Sequence, residues 1–161
     1  MRTFLVSLFT FASACSFAQT DSLVRFINPS ALSTPVGYSH AAIIDLGTCN
    51  MVIISGQVPL DNKGNLVGKD DFGKQTDQVF TNIKAVVEAS GGSMNDIVKI
   101  TIFSTDASQL PAFRNIRNKF INLRNPPTSS FVQVSKLFRE DVMVEIEATA
   151  VIMKSKGKSK K

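Results

Sequence analysis

Two glutamates at alternate positions of one apolar run are the side chains best placed for chemistry. The run is Val142-Met143-Val144-Glu145-Ile146-Glu147-Ala148-Thr149-Ala150-Val151. In a strand, side chains alternate between faces, so Glu145, Glu147, Thr149 and Val151 share one side and Val144, Ile146, Ala148, Ala150 and Ile152 the other. Glu145 and Glu147 then stand roughly 7 Å apart. A carboxylate against an apolar surround can take a proton from water, the work of a general base. The same pattern also fits a polar sheet face, or acids paired with nearby cations. Rival catalytic groups are few, because the chain holds one Tyr, one His and no Trp. Tyr38 offers a hydroxyl, or an interface ring whose hydroxyl finds a partner. His40, two residues on, fits a packing role as well as proton transfer. Cys49 lies in Leu46-Gly47-Thr48-Cys49-Asn50 with no flanking His or acid. It reads as a small buried hydrophobe or a turn residue, not a thiol nucleophile.

The elements that must position these groups are legible in the hydrophobic pattern. Ala41–Leu46 and Met51–Ser55 are short, branched runs with Gly47–Asn50 between them, the pattern of a hairpin. Asp61-Asn62-Lys63-Gly64 is a turn. Asp70 or Asp71 caps a helix over about 72–89, with Phe72, Gln75, Val79, Ile83, Val86 and Val87 inward and Gly91-Gly92 ending it. Ile97–Phe103 is a strand. Pro111 suits the first turn of a second helix that packs through Leu110, Phe113, Ile116, Phe120 and Ile121 and stops at Arg124-Asn125-Pro126-Pro127. Thr128–Val134 and Val142–Val151 read as two strands joined by a polar turn at Arg139-Glu140-Asp141. The order predicts an α+β fold, a mostly antiparallel sheet with two helices on one face. The other sheet face, carrying Lys99, Thr101, Glu145 and Glu147 among apolar residues, has the mixed character of a surface buried against another subunit.

The two ends lie outside this domain. Residues 1–18 have the form of a secretory signal peptide: Arg2, the apolar run Phe4–Ala12, and Ser16-Phe17-Ala18 before Gln19. The expected location is therefore periplasmic or extracellular. Ala12-Ser13-Ala14-Cys15 offers the alternative of a lipid tether at Cys15. No other run is long enough to span a bilayer. Residues 19–27 read as an extended arm, 28–153 as the domain, and 154–161 as a disordered basic tail. The formal charge of +5 belongs to the ends: setting aside Arg2 and the five lysines of the tail leaves 12 of the 18 basic residues against 13 acids. No aromatics interleave with the tail lysines, so the chain lacks the marks of a nucleic-acid binder.

From Asn28 to Ile152 the chain resembles the RidA (YjgF) family. The resemblance rests on Gly37-Tyr38-Ser39, Ser55-Gly56-Gln57-Val58-Pro59, Gln75 with Asn82-Ile83-Lys84-Ala85, and Gly92 with Asp96-Ile97-Val98-Lys99. It continues through Asn115, Val132-Gln133-Val134 and Glu145-Ile146-Glu147-Ala148. It implies a chorismate-mutase-like fold, a homotrimer with clefts between subunits, and a small-molecule substrate or ligand, with no metal or organic cofactor. The implied activity is hydrolysis of reactive imines or enamines, taking 2-imino acids to 2-keto acids and ammonia. By the same resemblance Glu145 is the acid that acts on water and Tyr38 the cleft tyrosine. Asn115, Ser55 and Gly56 take cleft positions. The family's Pro-Ala-Arg-Ser run corresponds to Pro127-Thr128-Ser129-Ser130, which puts Ser129 where an arginine clamps the substrate carboxylate, and Phe131 at a usually small position. A hydroxyl does not reproduce the two charge-assisted bonds of that fork. The expectation is an altered substrate range, with Ser129, Ser130 and Phe131 binding a less acidic group, or else a trimer that binds a ligand without turning it over.

Overall fold

A computed structural model of the chain describes residues 23–154. The expected leader, the tether at Cys15, the start of the arm and the tail from residue 155 lie outside the described residues. Within them the order is β1 (Val24–Ile27), β2 (Ala41–Asp45), β3 (Cys49–Gln57), α1 (Phe72–Ala89), β4 (Ile97–Ser104), α2 (Leu110–Arg117), β5 (Thr128–Gln133) and β6 (Val144–Met153). Short 3-10 turns precede β4 and α2. The strands form one sheet in the order β1-β2-β3-β6-β4-β5. Every neighbouring pair is antiparallel except β4 and β5. The α+β expectation holds, with both helices on one face of the sheet. No helix among the described residues is long and apolar enough to cross a membrane.

β5 and β6, the strands on either side of the 139–141 turn, are not neighbours in the sheet: β4 lies between them. The cause is the position of the helices. A strand that passes through a covering helix returns parallel to itself. β4 reaches β5 through α2 in that way, and β3 reaches β4 through α1. The second crossover leaves a gap one strand wide, which β6 fills antiparallel to both neighbours. Val24–Ile27, part of the expected arm, pairs with β2 as the sheet's other edge.

The core lies between the sheet and α1. Val144, Ile146, Ala148, Ala150 and Ile152 of β6 are buried against Val79, Phe80, Ile83, Val86 and Val87 of α1. Each such aliphatic side chain contributes about 1.5–3 kcal/mol by leaving water. Asp71 caps α1 by accepting the Lys74 amide at 2.9 Å, and Gly91, at φ +88, turns the chain out of it. α2 stops at Arg117, earlier than the expected proline stop. Phe120 still reaches inward from the following turn and stacks on Phe80, with ring centroids 5.1 Å apart. Phe113 extends this aromatic cluster to Phe131 of β5 at 5.4 Å.

Candidate functional site

Register assigns each sheet residue to a face. Phe103, Glu145 and Val132 lie across from one another, as do Thr101, Glu147 and Ser130. These belong to the face that carries no helix, together with Ile53, Lys99 and Thr149. A depression of about 280 Å³ at the centre of that face is lined by Ile53, Lys99, Thr101, Glu147 and Thr149. Lys99 and Glu147 do not form an ion pair with each other.

At one end of this face β3 departs from the ladder. The pairing of β3 with β6 shifts register between Ile54 and Gln57, which places Ser55 and Gly56 in a bulge beside Glu145. A pocket of about 350 Å³ opens here, walled by Tyr38, Gly56, Val58, Leu60, Phe138 and Glu145, with Ser55 at its base. Glu145 is half-buried. It forms no hydrogen bond or ion pair with any described residue. Burial, and secondarily the like charge of Glu147, raise its pKa above the ordinary glutamate value. A carboxylate in this condition holds protons more firmly than a solvated one, which suits it to taking a proton from water and returning it.

Gly56 makes room for that carboxylate. A Cβ built on Gly56 would fall 2.8 Å from the Glu145 Cδ and 3.1 Å from its Cγ, and would overlap Oε1. The bulge and the absent side chain thus form a slot that fits the acid.

The other walls are held by buried polar side chains of α1. Gln75 is fully buried. Its Nε2 donates to the Asp141 carbonyl at 2.8 Å and to the Gly68 carbonyl at 3.2 Å. Its Oε1 accepts the Met143 amide at 2.8 Å, two residues before Glu145. Asn82 donates to the carbonyls of Val58 and Leu60, both at 3.0 Å, and is itself oriented by Gln78. One helix therefore fixes both the strand that carries the acid and the apolar wall facing it.

Tyr38 is held from the sheet side. The Ser55 hydroxyl donates to the Ser39 carbonyl at 2.6 Å, and the Ser55 amide donates to the His40 carbonyl at 3.0 Å. His40 is buried, with Nε2 2.9 Å from the Ser33 carbonyl and its ring edge-on to Tyr38 at 5.5 Å. It takes the packing role that its position allowed. Tyr38 and Phe138 remain half or more exposed at 50% and 63%.

The expected residues thus divide. Tyr38, Ser55, Gly56 and Glu145 come together, with the hydroxyl of Ser55 committed to the backbone. Ser129 and Phe131 fall on the opposite face by register, level with buried Ile100 and Ile102, and Phe131 packs under α2. Ser130 is on the open face at the β5 edge, and Asn115 is exposed on α2. None of these four lines the Glu145 pocket of its own chain. Nor does an arginine. Arg139, next to Phe138, makes a two-pronged pair with Asp141 at 2.9 and 2.6 Å, and Arg124 is exposed in the α2–β5 loop. Sequence reading missed Phe138 and Leu60 as pocket walls. Leu60 follows a motif already singled out, whereas Phe138 lies in an irregular stretch with no periodicity to mark it. No cluster of three His, Cys, Asp or Glu side chains suited to a metal occurs among the described residues.

The family model Endoribonuclease L-PSP matches residues 28–152. A 2-iminobutanoate/2-iminopropanoate deaminase of Salmonella typhimurium is 41% identical over 110 residues, covering 67% of this chain and 83% of the relative. A RutC family protein of Pyrococcus horikoshii is 38% identical over 117 residues, 72% of this chain and 88% of the relative. Among solved structures, RidA from an Antarctic Psychrobacter superimposes with a TM-score of 0.70 at 35% identity, covering 80% of this chain and 99% of that one.

Proposed function

We propose, from the premise that this chain belongs to the RidA/YjgF (endoribonuclease L-PSP) family, that the Glu145 pocket hydrolyses reactive imines or enamines. The observation that carries the reading is the unpaired, half-buried carboxylate of Glu145, seated in a slot made by Gly56 beside the Tyr38 ring. Water adds to the carbon of the C=N bond as Glu145 takes its proton. The same carboxyl returns that proton to nitrogen, then carries the hydroxyl proton to nitrogen as the C–N bond breaks, and a carbonyl compound and ammonia (ammonium from an iminium) leave. Tyr38 orients the substrate from the pocket mouth. The relatives named 2-iminobutanoate/2-iminopropanoate deaminase support this class of reaction.

In this reading three copies pack through their open sheet faces, which accounts for Lys99, Thr101 and Glu147 among apolar neighbours. Each pocket then lies at a subunit boundary, where Ser130, on the open face at the β5 edge of a neighbouring copy, helps complete it. The leader exports the protein to the periplasm or beyond. The test is ammonia release from imines generated in place by an oxidase. The wild-type protein accelerates release, and Glu145→Gln does not. A second reading is favoured by Ser129 at the family's arginine position: a trimer that binds a small ligand without turnover. Retention of a ligand, with no acceleration across a broad imine and enamine panel, would select it.

A further inference from the structure

The charges and rings around the pocket go further and define what kind of molecule fits. Resting on the imine-hydrolase reading, we propose that the substrate is an organic iminium ion with an apolar body and no carboxylate.

Four observations lead there. Among the described residues of the chain Glu145 is the one charged side chain in the pocket wall, and the next charge on its strand face is a second acid, Glu147. The neighbouring arginine, Arg139, is taken up by Asp141 through both prongs of its guanidinium. The Ser55 hydroxyl, the pocket's one aliphatic alcohol, already donates to the Ser39 carbonyl. The remaining walls are Val58, Leu60 and the exposed rings of Tyr38 and Phe138. A carboxylate group entering this space meets the Glu145 carboxylate and, among the described residues of the wall, no cation. A C=NH₂⁺ group meets a carboxylate and two aromatic rings, whose π faces attract cations. An aryl or alkyl body meets apolar wall. The reaction balances as iminium plus water giving an aldehyde or ketone plus ammonium, with no redox partner. The supplying reaction is of the class that oxidises a primary amine to its imine.

A matched pair of substrates tests this. Oxidation of 2-phenylethylamine by an amine oxidase gives an imine without a carboxylate. Oxidation of phenylalanine by an amino-acid oxidase gives the same aromatic body with one. Ammonia release is followed with each at constant oxidase flux. The expected result is a kcat/KM at least about tenfold higher for the carboxylate-free imine, the scale of removing one like-charge contact. Equal or faster turnover of the carboxylated imine overturns the inference and leaves imine hydrolysis standing. If neither imine is turned over, calorimetric binding of 2-phenylethylammonium and of 3-phenylpropanoate decides the point without chemistry. Tighter binding of the cation, lost in Glu145→Gln, sustains the pocket's selectivity while the hydrolase reading fails. Equal or tighter binding of the anion refutes it.

Discussion

Replacing Gly56 by alanine separates the placing of the acid from the stability of the fold. The added methyl carbon would lie 2.8 Å from the Glu145 Cδ and 3.1 Å from Cγ, whereas unstrained carbons sit about 3.5–4.0 Å apart. The carboxyl group must therefore retreat by roughly 1 Å or swing to another rotamer. The atoms that move are the free end of one side chain, and the backbone at Gly56 is not in the left-handed region. Stability is therefore expected to change by less than about 1 kcal/mol. A displacement of about 1 Å at a reacting group costs on the order of a hundredfold in rate. Gly56→Ala should then melt close to the wild type, yet lose about a hundredfold in kcat/KM for imine hydrolysis. Ammonia release and a thermal scan on the same sample measure both quantities. Wild-type turnover in this variant would show that the carboxylate does not act from the position Gly56 provides. A parallel collapse of melting temperature would make the glycine structural and remove the reasoning.

Further outcomes follow from the same geometry. Because burial raises the Glu145 pKa, the acid limb of the rate profile should fall at a higher pH than an ordinary glutamate gives, and a limb at the ordinary value would contradict a desolvated base. A carboxyl whose folded pKa exceeds its unfolded one contributes stability below the unfolded value, and that contribution is lost as pH rises through the folded value. Glu145→Gln should accordingly melt above the wild type near neutrality, with the difference closing in acid. Gln75→Ala deletes three hydrogen bonds of a buried side chain and leaves the Met143 amide and the Asp141 carbonyl without these partners. A loss of about 2–4 kcal/mol in urea unfolding is expected, and a loss below about 1 kcal/mol would show that this helix-to-strand tie is dispensable. Light scattering of the protein should give about three times the protomer mass, and a monomer mass would remove the subunit-boundary cleft.

Much of the architecture could be read from periodicity. Helix α1 announced itself through Val79, Ile83, Val86 and Val87 at helical spacing, and β6 through strict alternation. The pairing of β5 is not legible in its own residues, because the covering helix α2, not nearness in sequence, sets β5 parallel to β4. Tyr38, Ser55, Gly56 and Glu145 were found as a group through their resemblance to family motifs. What Gly56 does was not legible, since a glycine's spelling does not say which atom fills the space beside it. Gln75 and Asn82 looked like motif letters, and only their distances to Met143, Val58 and Leu60 show them to be struts. Phe138 lies where neither helical nor strand spacing operates, so no local rule could have promoted it.

The placing of β6 between two strands that were laid down long before it has a consequence for biosynthesis. During synthesis, everything up to β5 can emerge while the middle of the sheet still lacks its keystone. The ladders from β3 and β4 close only when the chain's final segment arrives, and that segment brings Glu145 with it. A growing polypeptide therefore carries the mouth of its pocket but no acid to act in it. The Glu145 carboxylate reaches its slot beside Gly56 in the same step that completes the sheet.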